Sequence, residues 1–273
     1  MHEANPKSFI HLEHLSIEFP LFHLEHRSIK KTLFSKASNI VSKQQRQHQR
    51  TGADIVTDSN QNVVVQALKD INLSIHAGER VGLIGHNGAG KSTLLRAITG
   101  IYEPNQGKII TNGSIEALLS TNAGMNPQLS GRENIYLRAK RLGLSKKEIQ
   151  QLEKDVELFA ELNEFMDLPI KIYSSGMLMR LGFGLSTAIA PNILLMDEWF
   201  MAGDNSFQDK AKQRLINIID KAEIVVLTTH SLPIIRTWCN RIIWMKSGQI
   251  VADGPTDEII DQYQQAMETD SIS

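Results

Sequence analysis

Residues 8–19, Ser-Phe-Ile-His-Leu-Glu-His-Leu-Ser-Ile-Glu-Phe, alternate apolar and polar side chains. That is the period of a strand with one covered face, and it predicts an edge strand. From Phe22 to about Asn62 the order breaks. Arg27, Lys30, Lys31, Lys36, Lys43, Arg46 and Arg50 fall there with Glu25 as the only acid before Asp54, and Gln44, Gln45, Gln47 and Gln49 add a polar tract. The composition fits an inserted helix-and-loop excursion over 22–62 rather than core. Two readings of it stay open: a solvated surface insertion, or a face that meets anionic lipid headgroups or a membrane partner. Regular patterning returns at Val63. Residues 63–68 and 70–75 predict two strands, 76–79 a turn, and 80–84 a short buried strand, followed by a helix from Lys91 to about Thr99. Turn-rich sequence with strand fragments spans 102–120. A mainly helical stretch runs from Arg132 to about Phe165, and a helix over 177–190 is stopped by Pro191. Strands recur at 193–196, 224–228 and 241–245, with helices between them, so a largely parallel sheet wrapped by helices is expected.

At 273 residues the chain has room for one large domain with an excursion or for two small lobes. With 41% apolar residues and a formal net charge of −1 it can build a sizeable core, which excludes a wholly disordered chain. The same charge balance argues against a generally basic nucleic-acid binder. No run approaches 18 apolar residues, so no spanning helix is predicted. Glu3, Lys7, Glu13, Glu18 and Glu25 interrupt what a secretory signal would need. Cys239, the sole cysteine, makes neither an internal disulfide nor a cysteine-rich zinc site, and predicts a reducing, cytosolic compartment.

Between the strand at 80–84 and the following helix stands Gly85-His86-Asn87-Gly88-Ala89-Gly90-Lys91-Ser92, then Thr93. The spacing G-x-x-x-x-G-K-[ST], between a strand and a helix, is that of a triphosphate-binding loop. Its glycines let successive N–H groups turn inward as an anion nest, and the helix adds its positive end beneath the phosphates. Lys91 is expected to bridge the β- and γ-phosphates and Ser92 to ligate Mg²⁺. Ile193-Leu194-Leu195-Met196-Asp197-Glu198 is its natural partner: an apolar strand ending in two acids places Asp197 to hold Mg²⁺ and Glu198 to polarise the attacking water. His230, after the strand at 224–228, is a further candidate γ-phosphate contact.

Tyr173-Ser174-Ser175-Gly176-Met177, just before a helix that leads to Asp197, resembles the signature of ATP-binding-cassette (ABC) ATPases, usually Leu-Ser-Gly-Gly-Gln. Ser175 and Met177 depart from it. The resemblance implies that Ser174, Ser175 and Gly176 touch the triphosphate held by an opposing subunit. Ala202-Gly203-Asp204 is similar to the family's loop after the catalytic glutamate, Thr229-His230 to its switch histidine, and Arg180 to an arginine of the signature helix. The family also stacks an aromatic on adenine. Phe19 is the candidate, with an ordinary core aromatic as the equal alternative. Residues 118–127 lack the family's usual glutamine; Gln128 lies too late, and Thr121 or Asn122 are left as substitutes. The variant motifs, with Leu129–Tyr136 and the long excursion, resemble the branch that powers export of O-antigen, capsule or teichoic-acid polymers.

That resemblance implies a P-loop ATPase of the ABC fold, α/β, with a mixed sheet core, an antiparallel β edge and a helical subdomain over about 130–190. The whole chain, 1–273, is expected to form one nucleotide-binding domain. The short acidic stretch over 255–273 is expected to be a tail, without a C-terminal carbohydrate-binding domain. The implied partners are a second copy of the chain and an integral-membrane permease that handles the polysaccharide, with no nucleic acid, at the cytoplasmic face of the inner membrane. The alternative is a soluble ABC-type ATPase acting on nucleic acid or ribosomes, whose usual long coiled coil or tandem cassettes are missing here.

Overall fold

The computed structural model describes residues 7–21, 54–57, 63–119, 124–197 and 205–272. The strands are β1 (Phe9–Pro20), β2 (Asp54–Thr57), β3 (Val63–His76), β4 (Arg80–Ile84), β5 (Gln106–Asn112), β6 (Ile115–Leu118), β7 (Ile193–Asp197), β8 (Ile224–Thr228), β9 (Arg241–Lys246) and β10 (Gln249–Pro255). The helices are α1 (Lys91–Ile98), α2 (Gly131–Arg141), α3 (Lys146–Ala160), α4 (Ser175–Thr187), α5 (Asn205–Lys221), α6 (Leu232–Trp238) and α7 (Thr256–Ile272), with 3-10 turns at Asn163–Asp167 and Ile170–Ile172. The described residues divide into two compact units. One comprises the segments up to Asn112 and from Thr228 onward, the other Gly113 to Leu227.

In the first unit an antiparallel sheet runs in the order β2-β3-β1-β5. β1 is therefore an interior strand and not the edge that its alternation predicts. Alternation reports one covered face, here Ile10, Leu12, Leu15 and Ile17, but says nothing about how many hydrogen-bonded neighbours flank the strand. β3 is likewise one strand of 14 residues rather than two. Lys69, left between the two predicted strands, adjoins a bulge: Asp70 (φ 48°) and His14 (φ 50°) on the facing strand both turn left-handed. The Asp70 amide donates to Ser16 Oγ (3.0 Å), and its carboxylate meets His14 Nδ1 at 2.7 Å, which steadies the pair. β4 pairs in parallel with β9, and β9 antiparallel with β10. The acidic C-terminal stretch is a helix. Ile259 and Ile260 of α7 are buried, Tyr263 meets Trp244 edge-on (5.4 Å), and Arg236 pairs with Asp257 and Asp261.

In the second unit β7 lies between β8 and β6, with Ile115 of β6 opposite Ile193 in parallel register. The stretch 132–165 is two helices. Gly143 (φ 70°) ends the first, and Ser145 with Glu148 forms a capping box that starts the second; Ser130 and Glu133 do the same for α2. The helices close on Ile135, Ala139, Leu152, Val156, Leu181 and Leu185. Helix α4 stops at Thr187, three residues short of the predicted end. Arg138 of α2 reaches Glu116 of β6 at 2.5 Å.

Candidate functional site

The glycine-rich loop leaves β4, whose Val81–Ile84 are buried, and enters α1. Two glycines are dictated sterically. A Cβ on Gly85 (φ 142°) would lie 2.1 Å from the Met245 carbonyl oxygen, and one on Gly90 (φ 104°) 2.9 Å from the Ala67 carbonyl oxygen. The loop is pinned from below: the Gly248 amide donates to the Ala89 carbonyl (3.0 Å), and Ala89 is buried. Asn87 and Gly88 are exposed, and His86 is half-buried with Nδ1 2.9 Å from the Asn87 carbonyl.

Lys91 folds back over this loop. It is buried, and its Nζ donates to the carbonyls of Gly85 (2.7 Å) and His86 (3.2 Å). Ser92 and Thr93 follow, half-buried, in the first turn of α1. That turn has no side-chain cap and no acid of its own, so neither its amides nor its dipole is compensated from within the turn. A cradle of this kind suits an anion. In the same unit Phe19 is half-buried near the end of β1 and meets Tyr102 edge-on at 5.0 Å. His230 is exposed just beyond β8.

In the second unit Asp197 is the half-buried end of β7, after four buried residues. Ser174 is the N-cap of α4, its Oγ accepting from the Met177 amide at 3.2 Å, and Ser174, Ser175 and Gly176 are all exposed. Among the described residues a Cβ on Gly176 would have only Ser174 Oγ nearby, at 3.9 Å, so none of them demands glycine there. Beside this turn opens a cavity of about 760 Å³, lined among others by Glu161, Glu164, Phe165, Ser174, Gly176 and Arg180. Glu198, Asp204, Thr121 and Asn122 lie outside the described residues, as does all of the 22–62 excursion but β2, which extends the antiparallel sheet.

Sequence reasoning noticed Arg180 but missed its surroundings. Its guanidinium lies over the Phe207 ring at 5.0 Å and 3.8 Å from Glu161, a contact between α4 and α5 that sequence spacing does not report. Among the described residues no group of three or more His, Cys, Asp or Glu is arranged to hold a metal. A hydroxyl such as that of Ser92 and a carboxylate such as that of Asp197 are hard oxygen donors. Each is of the kind that Mg²⁺ takes as a ligand beside phosphate and water.

A family model described as ABC transporter matches residues 68–201. The O-antigen export system ATP-binding protein RfbE of Yersinia enterocolitica is 44% identical over 200 residues, 73% of this chain and 84% of that protein. RfbB of Myxococcus xanthus, with the same description, is 41% identical over 204 residues, 75% of this chain and 47% of its own. The teichoic acids export ATP-binding protein TagH of Lactococcus lactis is 40% identical over 198 residues, 72% of this chain and 42% of its own. The chain thus spans about half the length of the last two. A solved ATP-binding subunit of an ABC transporter superposes with a TM-score of 0.64 at 21% identity, over 94% of this chain and 93% of that one, which supports the fold.

Proposed function

We infer that this chain, which belongs to the family of ABC transporter ATP-binding proteins, hydrolyses ATP to drive export of a surface polysaccharide through a separate membrane permease. The observation that carries the ATPase reading is the cradle: a loop held open by Gly85 and Gly90, a lysine folded over it, and an uncapped, acid-free helix start beneath. The β- and γ-phosphates lie on its amides, and Lys91 exchanges its two loop carbonyls for phosphate oxygens. Mg²⁺, when bound by Ser92 and Asp197, supplies charge neutralisation at the phosphates. Glu198 orients the attacking water, and His230 approaches the γ-phosphate.

Two copies complete the site. Ser174, Ser175 and Gly176 of one copy approach the triphosphate held by the other, a role that explains an exposed glycine with open space around it. Phe19, with Tyr102 at its edge, offers the adenine a surface. The names of the relatives support O-antigen or teichoic-acid type polymers as the cargo. No helix among the described residues is long and apolar enough to cross a membrane, which is consistent with a permease forming the conduit and this chain working at its cytoplasmic face.

Two experiments test this. Glu198→Gln should bind ATP, hydrolyse it far more slowly and accumulate as a closed dimer; turnover equal to wild type would remove Glu198 from the chemistry. Deleting the chain from a strain that makes the polymer should leave lipid-linked polysaccharide on the cytoplasmic side. Normal surface polymer in that strain would sink the export reading while leaving the ATPase reading intact.

A further inference from the structure

Three helices of the second unit meet at one aromatic cluster. Phe159 of α3, Phe183 of α4 and Phe207 of α5 are all buried, with ring centroids 5.2 Å apart for Phe159–Phe207 and 6.4 Å for Phe183–Phe207. Three cations face it. Arg180 lies over Phe207 (5.0 Å), and Lys210 and Arg214 over Phe159 (5.3 and 4.4 Å). Each is attracted by a ring face, more strongly where water is excluded. Glu161, left-handed at φ 54° just past the end of α3, is the other meeting point. It takes Lys210 at 2.5 Å and Arg180 at 3.8 Å, while Lys210 also donates to the Leu158 and Phe159 carbonyls that end α3.

Of these cations only Arg180 also lines the cavity beside Ser174 and Gly176. Tyr173, Met177 and Leu178 pack the inner side of the first turn of α4 against the helical core, while its outer side, Ser174, Ser175 and Gly176, is exposed with only a local N-cap hydrogen bond. Resting on the two-copy reading above, we propose that Arg180 is a positioning residue for ATP hydrolysis. By bridging the Phe207 ring and Glu161 it fixes the first turn of α4 against α3 and α5. Ser174 and Gly176 thereby meet the opposing copy's nucleotide in one geometry.

The test measures steady-state ATPase of the full chain carrying Arg180→Gln, Arg180→Lys or Phe207→Leu, with thermal unfolding of each. Leucine keeps the apolar contact of Phe207 and removes the ring face, so it reads the same effect should Arg180→Gln fold poorly. Arg180→Gln and Phe207→Leu should each lower kcat about tenfold or more with KM for ATP within about twofold, since misplacement of about 1 Å costs up to about a hundredfold. Arg180→Lys, which keeps a cation over the ring, should restore most of kcat. A wild-type kcat in both Arg180→Gln and Phe207→Leu, a raised KM at unchanged kcat, or a loss that only tracks the folded fraction would overturn the proposal. Wild-type protein that hydrolyses ATP as a strict monomer would instead overturn the two-copy reading, whatever Arg180 does.

Discussion

Two glycines of the site answer to different masters, and substitution separates them. Alanine at Gly85 would drive a Cβ into the Met245 carbonyl at 2.1 Å and ask a non-glycine residue to hold φ 142°. Gly85→Ala should therefore lower stability by on the order of 3 kcal/mol, read by chemical denaturation, together with loss of ATP binding. Gly176 sits in a helical turn facing open space, where alanine is the better helix former by about 1 kcal/mol. Gly176→Ala should leave the unfolding midpoint unchanged or raise it, yet lower kcat; full activity would remove Gly176 from any contact with a second copy. Cys239 is a third case. It is 9% exposed, and burial pushes its thiol up to about 12. In native protein at pH 8 a thiol reagent such as DTNB should find almost nothing to react with, and one equivalent after unfolding. Rapid labelling of the folded chain would contradict the buried placement.

Among the elements, β6 and α2 are joined by a pair whose pH dependence has a definite sign. Burial raises the Glu116 carboxyl above its ordinary 4.5, and Arg138, at 2.5 Å, offsets only part of that. The folded chain thus keeps this proton to higher pH than the unfolded chain, and stability falls as pH rises through the window between the two values. Glutamine cannot ionise. The stability of Glu116→Gln relative to wild type should therefore increase as pH climbs from about 4.5 and then level off; a pH-independent difference would show that Glu116 titrates as if exposed. This scale also separates what the sequence exposes from what it hides. The phosphate loop was legible because its chemistry is contained in one turn between a strand and a helix. The break within 132–165 was legible in principle, since Ser145 and Glu148 spell a capping box after Gly143, yet the run of good helix formers masked it. Lys69 concealed the continuity of β3, because a charged residue in a strand pattern signals a break unless the sheet absorbs it, here in a bulge at Asp70. The acids of α7 hid Ile259 and Ile260 in the same way. The Arg180–Phe207 contact joins residues 27 positions apart on two helices, and no local period encodes it.

For the molecule as a whole, the arrangement that matters is the division of labour between copies. Lys91 is buried within its own loop, whereas Ser174, Ser175 and Gly176 are exposed at a helix start. If each active centre takes its cradle from one copy and its signature turn from the other, then two different defects can complement. A Lys91→Met chain loses the cradle but keeps the turn, and a Gly176→Asp chain does the reverse, adding a carboxylate where phosphate must approach. Each alone should be nearly inactive. Mixed and allowed to exchange, half of the pairs are hybrids, and each hybrid contains one intact centre beside one doubly damaged centre. The mixture should recover up to about a quarter of wild-type ATPase where the two centres turn over independently, as expected for a two-fold pair with a shared interface. A centre housed within one chain has no route to such recovery, so a mixture as inactive as its components, in pairs shown to exchange, would return the whole site to a single copy.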